Sequence, residues 1–142
     1  MKAVYIEAHG GPEVLTYGDR PEPWIQSSQP DQVKIRVRAT SLNRLDLYTR
    51  DGGRGLRRDF PPPLILGGDC SGDVVEVGES VVDLAPGDRV VVNPRISCNR
   101  CSACVAGRDD LCAGSRFMGS ALDGSYAEYV LVPAFNVHRL GP

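Results

Sequence analysis

Four of the chain's five cysteines lie within fifteen residues, and this cluster constrains the fold more than any other feature. Their spacing is C-x2-C-x2-C-x7-C, formed by Cys98, Cys101, Cys104 and Cys112. Two-residue gaps let successive thiolates face one ion, and the longer arc returns a fourth thiolate to complete a tetrahedron. A shell of four sulfurs leaves no open coordination position. The spacing therefore predicts a structural zinc and not a catalytic one.

Clustered cysteines can also form disulfides or hold an iron-sulfur cluster. Disulfides need an oxidising compartment, yet the N-terminus from Met1 to Tyr5 shows no apolar signal segment. An iron-sulfur cluster also takes four cysteines at similar spacing and stays open as an alternative. Reduced, metal-binding cysteines favour a cytoplasmic protein.

The composition indicates one globular domain with many turns. The chain has 142 residues, 42% of them hydrophobic and 24% charged, with sixteen glycines and eleven prolines. A formal net charge of -2 gives no electrostatic reason to bind nucleic acid or an anionic membrane. No apolar run approaches the roughly 20 residues that a membrane span requires.

Short strands dominate the predicted secondary structure. The clearest runs from Val33 to Ala39, where apolar residues alternate with Lys34, Arg36 and Arg38, so we expect a half-buried strand with a solvated basic face. Further strands are predicted near residues 3–6, 15–17, 74–78, 89–92, 126–132 and 137–140. The sum is a mainly β fold, a partly open barrel with one or two short helices.

One short helix is predicted after the strand that ends at Ala39. Ser41 is a suitable N-cap residue, and the helix is expected to run to about Arg50. The segment from Gly52 to Pro63 is rich in glycine, arginine and proline, which is typical of a mobile loop beside a cleft.

Three runs in order along the chain carry a resemblance to a known superfamily: Gly87-Asp-Arg-Val-Val-Val-Asn-Pro94, the four cysteines, and Gly124-Ser-Tyr-Ala-Glu-Tyr-Val-Leu-Val-Pro133. They resemble the N-terminal, GroES-like domain of medium-chain alcohol dehydrogenases and quinone reductases. The resemblance implies one GroES-like catalytic domain over residues 1–142, with the zinc lobe at 94–115. It also implies a full-length enzyme, a dimer or tetramer, that uses NAD(H) or NADP(H).

The dinucleotide site of this superfamily lies in a Rossmann domain that follows the GroES-like domain. No G-x-G-x-x-G motif occurs in the chain, which ends at Pro142. The resemblance therefore implies an excised domain or truncated product that does not transfer hydride alone. The other hypotheses are a stand-alone β-barrel module that binds a protein partner through its zinc lobe and, less favoured, a zinc-ribbon nucleic-acid binder.

Zinc-dependent members of the superfamily hold a catalytic zinc with a cysteine on the first helix and a histidine in a Gly-His-Glu run. Here Asn43 stands at the cysteine position, Gly68 at the histidine position and Asp69 at the glutamate position. Glycine offers no ligand and a neutral amide is a poor one, so no catalytic zinc is expected. The alternative is a metal site rebuilt from Asp46, Asp69 and Cys70.

The run from Asn43 to Tyr48 is similar to the zinc-free quinone reductase branch, which implies catalytic roles for Asn43, Asp46 and Tyr48. Asn43 could donate a hydrogen bond to a substrate carbonyl oxygen, and Tyr48 could bond the same oxygen or relay a proton. Asp46 is expected to fix the helix end or Arg44. The substrate would be a small carbonyl, alcohol, quinone or enone. The other interpretation is that Asn43 and Asp46 only cap the helix and that Tyr48 belongs to the core.

Overall fold

The structure, a computed structural model, describes residues 1–53 and 63–141. Most of the predicted loop from Gly52 to Pro63 lies outside these residues. The strands are β1 (Lys2–Ile6), β2 (Thr16–Asp19), β3 (Gln32–Ala39), β4 (Leu64–Ile65), β5 (Cys70–Val77), β6 (Arg89–Val92), β7 (Arg95–Ile96), β8 (Arg116–Phe117), β9 (Tyr129–Pro133) and β10 (Val137–Arg139). The helices are α1 (Arg44–Asp51) and α2 (Ser102–Val105), with short 3-10 turns at Pro12–Val14, Asp109–Leu111 and Ala134–Asn136.

A five-stranded antiparallel sheet in the order β10-β6-β5-β3-β9 carries the main core. The alternation predicted for β3 is confirmed at Val33 and Ile35, which are both fully buried. Ile35 lies opposite Val130 of β9 on one side and Val74 of β5 on the other. Because side chains alternate across a strand, this register turns the apolar residues of all three strands to one face.

The basic face of β3 is only partly as expected. Arg36 and Arg38 are exposed, but Lys34 is buried, with only 9% of its surface accessible. Its Nζ lies 2.6 Å from a carboxylate oxygen of Glu22 and 5.1 Å from the centre of the Tyr129 ring. The segment before β3 and the edge strand β9 cover this cation, so the prediction of a solvated Lys34 was wrong.

A second sheet, β2-β1-β4, joins the larger one and partly closes the barrel. Val4 donates its N–H to the carbonyl of Tyr126 at 2.7 Å, and Glu128 donates to the carbonyl of Lys2 at 3.1 Å. These bonds link β1 to the segment that leads into β9. The prediction of a mainly β fold with few helices is confirmed. Within residues 1–53 and 63–141, no helix is long and apolar enough to cross a membrane.

Candidate metal centre and candidate active site

The four clustered cysteines form a lobe that leaves the barrel through the short strand pair of β7 and β8. Arg95 pairs with Phe117 and Ile96 with Arg116, which brings the two ends of the lobe together. Asn136 links β7 to the barrel, because its Nδ2 donates to the carbonyls of Asn93 at 3.0 Å and of Arg95 at 2.7 Å.

The sulfur atoms of Cys98, Cys101, Cys104 and Cys112 all lie within 4.8 Å of one another. The Cys101–Cys104 separation is 3.5 Å, Cys98–Cys112 is 3.6 Å and Cys98–Cys104 is 4.0 Å. Zinc bonded to four thiolates at about 2.3 Å would separate the sulfurs by about 3.8 Å, so the geometry fits one tetrahedral ion. A disulfide would need about 2.05 Å, and all four thiols are free. A cubane iron-sulfur cluster, with an iron behind each thiolate, would spread the sulfurs further apart.

The backbone around Cys98 stabilises the thiolate form of its side chain. The N–H groups of Arg100 and Cys101 donate to its sulfur and, with the thiol of Cys112, lower the pKa of Cys98 to about 6. Asn99 adopts a left-handed conformation with φ of 55°, and this turn lets the following N–H groups point back at the sulfur. Thiolates are the form in which cysteines bind zinc, so the turn favours metal binding.

The alternative site of Asp46, Asp69 and Cys70 is not assembled. Among the described residues, the four-cysteine lobe is the only group of three or more histidine, cysteine, aspartate or glutamate side chains close enough to share an ion. Cys70 lies in the core at the start of β5, and burial raises the pKa of its thiol to about 12. Cys70 therefore behaves as a buried apolar residue.

Helix α1 begins two residues later than predicted, with Asn43 and not Ser41 as its N-cap residue. Asn43 and Asp46 form a capping box, in which the carboxylate of Asp46 accepts the backbone N–H of Asn43 at 2.7 Å. Asp46 is buried, and its Oδ2 also lies 3.0 Å from the hydroxyl of Tyr126. These bonds place Asp46 at the helix start as an organising residue. Tyr48 is half-buried on the same helix.

The side chains of Ser41, Asn43 and Asp69 form a hydrogen-bonded triad in front of α1. Asp69 Oδ2 accepts the Ser41 hydroxyl at 2.5 Å and the Asn43 amide at 2.8 Å, and Asn43 Nδ2 lies 3.0 Å from Ser41 Oγ. The bond from Ser41 and then that from Asn43 hold the pKa of Asp69 below its usual range. Asn43 and Asp69 are thus bonded directly to each other.

Two glycines precede Asp69 in the connection between β4 and β5, and they differ in what surrounds them. Gly67 has a φ of 98°, and a Cβ there would overlap the ring of Tyr126. Gly68 differs, because a Cβ there would meet nothing nearer than Met118 O at 3.8 Å and Pro94 Cβ at 3.9 Å. The fold thus requires glycine at position 67, while at position 68 it leaves room for a Cβ atom.

Tyr126 is a residue of this site that the sequence reasoning missed. Its hydroxyl lies 3.0 Å from the Ser41 carbonyl and from Asp46 Oδ2, and its N–H donates to the Leu66 carbonyl at 2.9 Å. It therefore ties the start of α1 to the segment that carries Asp69. The signal in the sequence is weak, since a tyrosine that follows Gly124 and Ser125 is equally typical of an ordinary turn before a strand.

The fold is a partly closed β-barrel, and a four-cysteine lobe lies between β6 and β9. These two features place the chain in the class of metal-binding β domains. The family model of the alcohol dehydrogenase GroES-like domain matches residues 29–142, and the chain belongs to this family.

The curated relatives include L-threonine 3-dehydrogenase of Streptomyces avermitilis, which is 40% identical over 124 residues. That alignment covers 86% of this chain and 35% of the relative, so the chain spans about a third of the relative's length. The L-threonine 3-dehydrogenase of Thermococcus kodakarensis is 38% identical over 110 residues, or 78% of this chain and 31% of the relative.

Solved structures show the same likeness. A crystal structure of an NAD-dependent alcohol dehydrogenase is 44% identical with a TM-score of 0.91, over 98% of this chain and 39% of its own. Galactitol-1-phosphate dehydrogenase from Escherichia coli is 31% identical with a TM-score of 0.87, over 99% of this chain and 38% of its own.

Proposed function

We propose that the chain is the substrate-side domain of an NAD(P)-dependent medium-chain dehydrogenase or reductase. The observation that carries this proposal is the family match, because the relatives and solved structures named above are all dehydrogenases. The parent reaction would be hydride transfer between a nicotinamide and a small carbonyl, quinone, activated alkene or alcohol. The chain carries no dinucleotide-binding motif, so a separate Rossmann domain would bind the cofactor and this domain alone would be inactive.

We further propose that Cys98, Cys101, Cys104 and Cys112 hold one structural zinc. The sulfur separations support this, since they approach the edges of a tetrahedral four-thiolate shell. Such a zinc supplies no chemistry to the reaction, and its effect is to order the lobe.

The cleft would work without a catalytic zinc. Support comes from the triad: Asn43 and Asp69 are hydrogen-bonded to each other and to Ser41, and Gly68 carries no ligand atom. In this proposal Asp46 fixes the start of α1 and thereby positions Asn43. Tyr48 would bond the substrate oxygen or relay a proton to it.

Elemental analysis of protein purified without added metal tests these proposals. We expect one zinc per chain in the wild type. Cys112→Ser should lose most of the zinc because it removes one of four ligands, while Cys70→Ser, a matched loss of a buried thiol outside the lobe, should keep it. Two zinc ions per chain would contradict the metal-free cleft, and iron or no metal would contradict the zinc lobe.

A further inference from the structure

We propose that a groove beside the edge strand β9 binds a small organic carboxylate with an apolar body. The groove has a volume of about 590 Å³, which is an ordinary size for a small-molecule pocket. Its walls come from the connection before β3, from β9 and from strands β7 and β8. Asn43, Asp46 and Asp69 do not line it, so this site is separate from the cleft and goes beyond the proposed function.

The walls of the groove suit a ligand with a hydrocarbon body. Apolar side chains from separate parts of the chain line it, namely Trp24, Ile65, Ile96, Leu122 and Leu131. Trp24 is 65% exposed, so its ring is available to a ligand. A bare inorganic anion would leave these apolar surfaces in contact with water, whereas a hydrocarbon body would cover them.

Lys34 supplies a buried positive charge at the groove. Its ammonium lies 2.6 Å from Glu22 Oε1 and 5.1 Å from the centre of the Tyr129 ring, and both of these residues line the groove. An ammonium has three N–H donors, and within the described part of the chain Glu22 is the one hydrogen-bond acceptor that it contacts. Because only 9% of Lys34 is accessible, water satisfies the other donors poorly, and a ligand carboxylate would accept from one of them.

The other charges around the groove also favour an anion. Arg20 and Arg116 line it, and neither forms an ion pair with any carboxylate in residues 1–53 and 63–141. The two lining carboxylates are already engaged, since Glu22 accepts from Lys34 and Asp123 accepts a backbone N–H at 2.9 Å. Three cationic side chains thus meet two carboxylates, which leaves an excess of positive charge here although the whole chain has a net charge of -2.

The experiment compares cyclohexanecarboxylate with cyclohexanecarboxamide, which match in size and differ in charge. Trp24 is the only tryptophan of the chain, so its fluorescence reports on the groove during each titration. Isothermal titration calorimetry with the same pair gives a readout that does not depend on Trp24. At pH 7 the carboxylate is ionised, and we expect it to bind at least about tenfold more tightly, because hydrogen bonds between charged groups are the stronger ones.

Three variants locate the binding site. Lys34→Met replaces the ammonium with an apolar group, and Arg20→Gln removes a partly exposed guanidinium that lies over the Tyr5 ring. Each should weaken carboxylate binding about tenfold, and Arg20→Gln keeps the test decisive if Lys34→Met does not fold. Arg38→Gln is the matched control, because it removes an exposed cation that pairs with Asp73 and does not line the groove.

Binding of the carboxylate to Arg38→Gln should equal binding to the wild type. The inference is overturned if the carboxylate gives neither heat nor a fluorescence change, or if the two compounds bind equally well. It is also overturned if Arg38→Gln weakens binding as much as Arg20→Gln does, because the effect would then reflect the charge of the whole chain and not this groove.

Discussion

Tyr126→Phe is the substitution that best tests whether the start of α1 is held from outside the helix. The change keeps the ring against Gly67 and removes only the hydroxyl, which lies 3.0 Å from Asp46 Oδ2. Asp46 is only 5% exposed, so its carboxylate would keep the Asn43 N–H as its remaining donor and gain little water in exchange. A hydrogen bond to a charged group contributes about 1.5–3 kcal/mol, and we expect a loss of that size in the free energy of unfolding.

Tyr129→Phe is the matched control, since it also removes one tyrosine hydroxyl and changes nothing else in the chain. That hydroxyl accepts a bond from Arg36 Nη2 at 2.9 Å in an exposed pair, so its loss should change stability little. Urea unfolding of both zinc-loaded variants, followed by circular dichroism, gives the comparison when the m-values match. Equal losses in the two variants would refute the reasoning, because the buried carboxylate would then not depend on Tyr126.

Two further predictions concern stability. Gly67→Ala should lower the free energy of unfolding by about 2–4 kcal/mol, because of the left-handed φ of 98° and the overlap with Tyr126. Gly68→Ala, the control, should change it by less than about 1 kcal/mol, and comparable unfolding midpoints for the two variants would contradict this difference. The N–H of Ala85 and then Arg139 lower the pKa of Asp88, so its carboxylate stabilises the fold at neutral pH and loses this effect as the pH falls through its folded-state value. Asp88→Asn should be less stable than wild type at pH 7, with the gap closing below about pH 4, and a gap that stayed constant in urea unfolding across that range would contradict the assignment.

Patterns that act over a few residues were readable from the sequence. The alternation along β3 predicted the burial of Val33 and Ile35 because a strand repeats every two positions. The cysteine spacing predicted a cluster because all four side chains lie on one short segment. The same local reasoning misplaced the helix start, since both Ser41 and Asn43 are good N-cap residues and only Asp46 bonding to Asn43 distinguishes them.

Features that depend on contacts between distant segments were not readable in this way. Lys34 is buried because Glu22 and Tyr129 approach it from two other parts of the chain. Tyr126 reaches the start of α1 across some eighty positions of sequence, and the bond between Asn43 and Asp69 needs the fold to bring their segments together. Periodicity and spacing carry no information about such pairings.

The position of the four lobe cysteines along the chain has a consequence for folding order. All four cysteines belong to one continuous segment, so closing the lobe around a metal needs only short loops and a small loss of chain entropy. The barrel instead requires β3 to meet β9, with Val33 opposite Val132, and contacts of such high sequence separation form slowly. We therefore expect the lobe, with β7 paired to β8, to form before the five-stranded sheet is complete.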